Sequence, residues 1–129
     1  MSASLQRRVL LISDSSDERE MYAESLRRSG FCTLQASNAA DGFRLASELP
    51  PAAIVTDVRL GGPEDGLGLT RRLKDDERMK TVPVVILTGC VFTRDREAAA
   101  RAGCDLFVPK PCLPDALSQV VSDLIEHRP

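Results

Sequence analysis

No apolar stretch in this chain of 129 residues approaches the ~18–20 residues needed to cross a bilayer. The opening segment, Met1 to Arg8, runs straight into a strand pattern and carries no separate apolar stretch of the kind cleaved from a leader. Charge of one sign is also missing, since 17 Lys and Arg against 19 Asp and Glu leave a net charge of −2. A nucleic-acid surface would show a basic stripe, whereas the pairs Arg7-Arg8, Arg27-Arg28 and Arg71-Arg72 are isolated and read as solvated faces. The four cysteines, Cys32, Cys90, Cys104 and Cys112, form no CxxC pair, and the lone histidine, His127, lies in the C-terminal tail, so no zinc site is expected. The cysteines are read as free thiols filling small buried spaces, and the chain is placed in a reducing cytoplasm. A redox role for Cys90 or Cys112 is the lesser reading. Repeats, low-complexity tracts and linkers are absent. Nor does a glycine-rich phosphate loop follow the first strand pattern, where Ser15-Ser16-Asp17-Glu18 stands instead. Acids at that place repel a cofactor phosphate, which argues against a small flavodoxin-like enzyme or cofactor binder.

What is present is a composition of 43% hydrophobic and 28% charged residues, that of a single globular domain over 1–129 able to bury a core. Short apolar runs alternate five times with helical patterns, the signature of β-α-β units and a parallel sheet. The strands are expected at 8–13, 31–36, 52–56, 83–87 and 105–108, and the helices at 16–29, 39–49, 66–75, 94–102 and 114–127. Local chemistry marks their ends. Ser15 with Glu18 reads as a capping box, Gly30 as the glycine closing that helix, and Asn38 and Thr93 as further caps. Gly103 ends the fourth helix and Pro114 opens the fifth. The expected buried stripes are Met21, Tyr22 and Leu26 on the first helix and Ala39, Phe43, Ala46 and Leu49 on the second. On the last they are Leu117, Val120, Val121, Leu124 and Ile125.

Polar residues then fall where four of the strands end. Asp14 follows Val9 to Ile12, Asp57 follows Ala52 to Thr56, Thr88 follows Val84 to Leu87, and Lys110 follows Leu106 to Val108. In open α/β sheets ligands bind in the crevice at the carboxyl ends of the strands. A carboxylate pair, a hydroxyl and an ammonium converging there suit an anion held with a metal ion, and they suggest phosphoryl chemistry at Asp57.

With the elements so placed, the chain resembles the receiver domain of two-component response regulators over essentially its whole length. The resemblance rests on an ordered set: Asp14, Asp57, Asp65-Gly66, Thr88-Gly89, Ala102-Gly103-Cys104-Asp105 and Phe107-Val108-Pro109-Lys110-Pro111. It implies a flavodoxin-like, doubly wound sheet of five parallel strands in order 2-1-3-4-5, with five helices on its faces. It implies that Asp57 takes a phosphoryl group from a sensor histidine kinase or phosphotransfer protein. Mg²⁺ would be held by Asp14, Asp57, the carbonyl of Arg59 and waters. Lys110 and Thr88 would contact the phosphoryl oxygens, with the Lys110–Pro111 peptide cis. Thr88 and Phe107 would switch together and reshape the surface of the fourth helix, fifth strand and fifth helix for a downstream protein. Val91 and Phe92 either enlarge that patch or pack under the fourth helix. Such a module is no enzyme beyond catalysing its own phosphorylation and dephosphorylation, and it acts without nucleic acid or membrane.

Two departures stand out. The family usually carries two adjacent acids after the first strand, and here the first is Ser13, which can still bind a metal-bound water. Mg²⁺ binding is expected to weaken by ~1–2 kcal/mol if the lost acid acted through such a water. The loop Val58 to Gly66 also has one residue extra and two adjacent glycines, Gly61 and Gly62, and the Arg59 side chain is expected in solvent. The weakened metal site leaves a second reading, a degenerate receiver kept as a phosphorylation-independent binding scaffold.

Overall fold

The computed structural model describes residues 7–89 and 92–126. Five parallel strands form one sheet: β1 (Arg8–Ile12), β2 (Cys32–Ala36), β3 (Ala53–Thr56), β4 (Val84–Thr88) and β5 (Leu106–Pro109). Their order is β2-β1-β3-β4-β5, as expected. Between and after them run α1 (Ser16–Arg28), α2 (Ala39–Glu48), α3 (Gly66–Asp75), α4 (Thr93–Ala102) and α5 (Pro114–Glu126). Register pairs Ile12 with Thr56, Thr56 with Ile86, and Thr88 with Pro109, so the strand ends that carry the polar residues line up along one edge.

The central strands are apolar on both sides because helices cover both faces. Successive side chains alternate between two core layers. Val9, Leu11, Val55, Val85 and Leu87 pack with Tyr22, Leu26, Leu117 and Val121 beneath α1 and α5. Leu10, Ile12, Ile54 and Val84 pack with Ala39, Ala46, Leu69 and Leu73 beneath α2 and α3.

Several expectations at element surfaces are corrected. Met21 is 45% exposed and Leu49 is 42% exposed, so neither belongs to its helix's buried stripe. Ser25 is buried instead, where its hydroxyl lies 2.6 Å from Asp115 Oδ1 and 2.8 Å from Ser118 Oγ on α5. Thr93 is the first residue of α4 rather than its cap. The cap is Phe92, whose backbone N–H donates to the Asp95 carboxylate at 3.1 Å. Asn38 does cap α2, accepting from the Asp41 N–H at 2.8 Å. Cys32 is exposed and Cys104 and Cys112 are half-buried, so the described cysteines are free thiols but not buried fillers. Burial pushes the thiol pKa of both Cys104 and Cys112 up, which makes them poor thiolates. Cys90, Val91 and His127 lie outside the described residues. Among the described residues no helix is long and apolar enough to cross a membrane.

Candidate functional site

Backbone hydrogen bonds carry each strand-end residue into place. The Asp57 N–H donates to Ile12 O at 3.0 Å, which fastens the end of β3 to the end of β1. The Lys110 N–H donates to Thr88 O at 2.8 Å, which does the same for β5 and β4. The Lys110–Pro111 peptide is cis. Behind Asp57, α3 begins in direct contact with its main chain, because Gly66 N–H donates to Val58 O at 2.7 Å. A Cβ on Gly66 would sit 1.9 Å from Asp57 O, so only glycine fits there. Asp65 supplies the cap, accepting from the Gly68 N–H at 2.9 Å.

The four expected side chains meet in one cleft of about 320 Å³, lined by Asp14, Asp57, Val58, Arg59, Thr88, Gly89 and Lys110. Asp14 is exposed at the mouth, as is Arg59, while Asp57 and Thr88 are buried. Lys110 Nζ lies 2.8 Å from Asp57 Oδ1. Phe107 sits back from the cleft, half-buried, with the Arg96 guanidinium carbon 4.9 Å from its ring centroid.

A further acid enters the site from α1. Glu18 Oε2 lies 2.7 Å from Lys110 Nζ, so the ammonium bridges two carboxylates. The capping box expected at the start of α1 is only half made. Ser15 Oγ accepts from the Glu18 N–H at 3.1 Å, but the Glu18 carboxylate turns to the Ser13 hydroxyl at 3.0 Å instead of back to Ser15. The Ser15 N–H donates to Ser13 Oγ at 3.1 Å in its place. Sequence reasoning missed Glu18 because the cap spacing accounts for it locally. The signal that points to it is the unmatched Ser13 five residues earlier.

These contacts set the charge balance. Burial, with the Glu18 carboxylate adding to it, pushes the Asp57 carboxyl up to about 6 against the pull of Lys110. Burial acts the same way on Glu18, but its contacts with Lys110, Asp57 and Ser13 together hold it below its ordinary value. Burial opposes the Lys110 charge, and the two carboxylates overcome it and raise that pKa. A perturbed carboxyl beside an ammonium in a cleft marks a candidate functional group.

Asp14 and Asp57 bring carboxylate oxygens to the same cleft, the donor type a hard cation such as Mg²⁺ takes, and Arg59 lines it beside them. Among the described residues no three His, Cys, Asp or Glu side chains gather as a metal site, so the side-chain donors to a cation in this cleft are the two carboxylates.

A parallel sheet of order β2-β1-β3-β4-β5 with an acid-lysine cleft at its carboxyl edge is a doubly wound α/β module with its site where such folds bind ligands. Residues 9–122 match the model of the response regulator receiver domain, and the chain belongs to that family. It is 30% identical to the polar-differentiation response regulator DivK of Brucella anthropi over 104 residues, 80% of this chain and 83% of that one. It is 34% identical to the response regulator Rre1 of Synechocystis over 122 residues, which is 93% of this chain but only 52% of Rre1. The receiver domain of a sensor histidine kinase from Pseudomonas aeruginosa, solved with magnesium coordinated in its active-site cleft, is 26% identical with a TM-score of 0.84. That match covers 94% of this chain and 98% of the other. The chain is thus a receiver domain of two-component signalling with the flavodoxin-like fold expected from its motifs.

Proposed function

We propose that Asp57 accepts a phosphoryl group from the phosphohistidine of a sensor histidine kinase or phosphotransfer protein. An Asp57 oxygen attacks phosphorus, a P–O bond forms as the P–N bond breaks, and the imidazole leaves with the bonding pair. The observation that carries this reading is the Lys110 ammonium 2.8 Å from Asp57 Oδ1, in a cleft shared with Asp14 and Thr88. Asp14, Asp57 and the Arg59 carbonyl would hold Mg²⁺. The ion, when bound, supplies positive charge where the transferring phosphoryl group carries negative charge. Lys110 contributes a second positive charge without leaving its strand end, so little reorganisation is needed. The Thr88 hydroxyl donates to a phosphoryl oxygen, and its inward movement draws Phe107 toward the vacated space. The α4–β5–α5 surface then offers a changed face to a downstream protein, with Phe92 at 67% and Leu113 at 75% exposure supplying apolar contact. The chain acts in the cytoplasm and catalyses only its own phosphorylation and dephosphorylation.

Acetyl phosphate with Mg²⁺ should add one phosphoryl mass to the native chain and none to Asp57→Ala, read by intact mass spectrometry. A native chain that stays unlabelled, even with a competent kinase present, would favour the scaffold reading.

A further inference from the structure

The end of β1 offers a hydroxyl at Ser13 where a second acid would stand, and the Glu18 carboxylate occupies the space that hydroxyl faces. Its backbone is fixed by the Ser15 cap at 3.1 Å. Its position in the first turn of α1 aims the side chain back toward the strand end. A glutamate three residues after a serine cap ordinarily returns to the cap's own N–H. That amide is already satisfied by Ser13 Oγ at 3.1 Å, which leaves the Glu18 carboxylate to take the Ser13 hydroxyl at 3.0 Å and Lys110 Nζ at 2.7 Å. Ser13 is 5% exposed, and the Glu18 and Lys110 side chains are 22% and 28% exposed, so water competes only weakly for these contacts.

Placing a second carboxylate beside Asp57 opposes ionisation of the nucleophile, so the arrangement carries an electrostatic cost. What it achieves is a restraint on Lys110. A lysine ammonium is a compact charge on a flexible four-carbon stem and samples many rotamers unless several contacts hold it. With Asp57 alone, the ammonium is tied at one point. With Glu18 it is tied at two, from the β3 end and from α1.

We propose that Glu18 is a positioning residue of this site, supplying from the first turn of α1 the acid that β1 lacks at Ser13 and holding Lys110 Nζ against Asp57. This rests on the phosphoacceptor reading above for its purpose, but its geometry is testable separately. The chain has only three lysines, Lys74, Lys80 and Lys110. Trace acetylation followed by peptide mass spectrometry therefore reports the freedom of Lys110 Nζ against Lys80, whose side chain is 49% exposed, as internal reference. Glu18→Gln, which keeps size and the backbone cap, should raise Lys110 labelling relative to Lys80 at least threefold and slow acetyl-phosphate labelling of Asp57 about tenfold. Adding Ser13→Asp to Glu18→Gln relocates the acid and should return both values toward those of the native chain. Unchanged Lys110 labelling in Glu18→Gln would overturn the proposal, as would a rise that Ser13→Asp fails to reverse. If the native chain takes no phosphoryl group, the phosphoacceptor reading fails while the lysine measurement still decides what Glu18 does.

Discussion

The two sides of the cleft are built very differently. On the β1–β3 side, α1 buries Tyr22, Ala23, Ser25 and Leu26, and α3 buries Gly66, Leu69, Thr70 and Leu73. Gly66 there has no room even for a methyl group against the Asp57 carbonyl. On the β4–β5 side, α4 buries only Ala99 and Ala102, and β5 has no fully buried residue. Beyond the β4–β5 ladder, Asp105 ties the start of β5, its carboxylate accepting from the Val84 N–H at 2.7 Å and pairing with Lys74 at 2.8 Å. One side fixes Asp57 in place, while α4 and β5 on the other, outside the buried β4, have few buried contacts to lose. Elements of the second kind are those that open or move at low free-energy cost. Under the proposed function, a phosphoryl group on Asp57 would be expressed toward α4 and β5, away from α1.

Changes on the rigid side should cost the most stability. Gly66→Ala must displace either the start of α3 or the main chain of Asp57, since the two atoms would stand 1.9 Å apart. It should cost more than about 3 kcal/mol in urea unfolding, in the range of overpacked or strained core sites. Phe92→Ala, on the other side and 67% exposed, should change stability by less than about 0.5 kcal/mol. Equal losses from the two variants would remove the asymmetry.

Next in size is Asp57 itself. Its carboxyl is pushed up to about 6 from an ordinary 3.8, so between those values the native chain holds a proton that the unfolded chain releases. Stability without Mg²⁺ should therefore fall as pH rises through that window and level off above it. Glu18 gives the opposite slope, but only as pH falls below its ordinary 4.5. Asp57→Asn should remove the downward slope and stabilise the chain at pH 7 by about 1–3 kcal/mol, measured as thermal unfolding across pH. A variant less stable than the native chain at pH 7 would mean that its contact with Lys110 outweighs burial.

Much of this was legible in the residues alone. Apolar runs mark β1, β3 and β4, the central strands of a sheet covered on both faces, and the ordered polar residues at the strand ends foretell the cleft. What escaped is what depends on a choice among partners. Met21 and Leu49 fit a helical stripe but lie at its margin, where the facing layer ends. Thr93 is a good cap by type, yet the chain begins the helix at it because Asp95 accepts from Phe92 instead. Glu18 was hidden because two roles at one position are indistinguishable until Ser13 and Lys110 are brought beside it.

The smallest expected effect concerns the loose side. The Arg96 guanidinium lies over the Phe107 ring at 4.9 Å from α4 to β5, an attraction of about 0.5–1 kcal/mol at a partly exposed site. That contact favours the half-buried position the ring has on β5. If Phe107 turns inward when Thr88 moves, the contact must be lost, and it opposes the active arrangement by roughly its own strength. Arg96→Ala should then lower global stability by less than about 1 kcal/mol while raising the inward population of Phe107 by up to about fivefold, followed by ring proton and methyl NMR contacts in the unphosphorylated protein. The same variant should leave the exchange of α1 amides unchanged and quicken that of α4. Slower exchange along α1 instead would show that the two sides are coupled through the sheet rather than independently held.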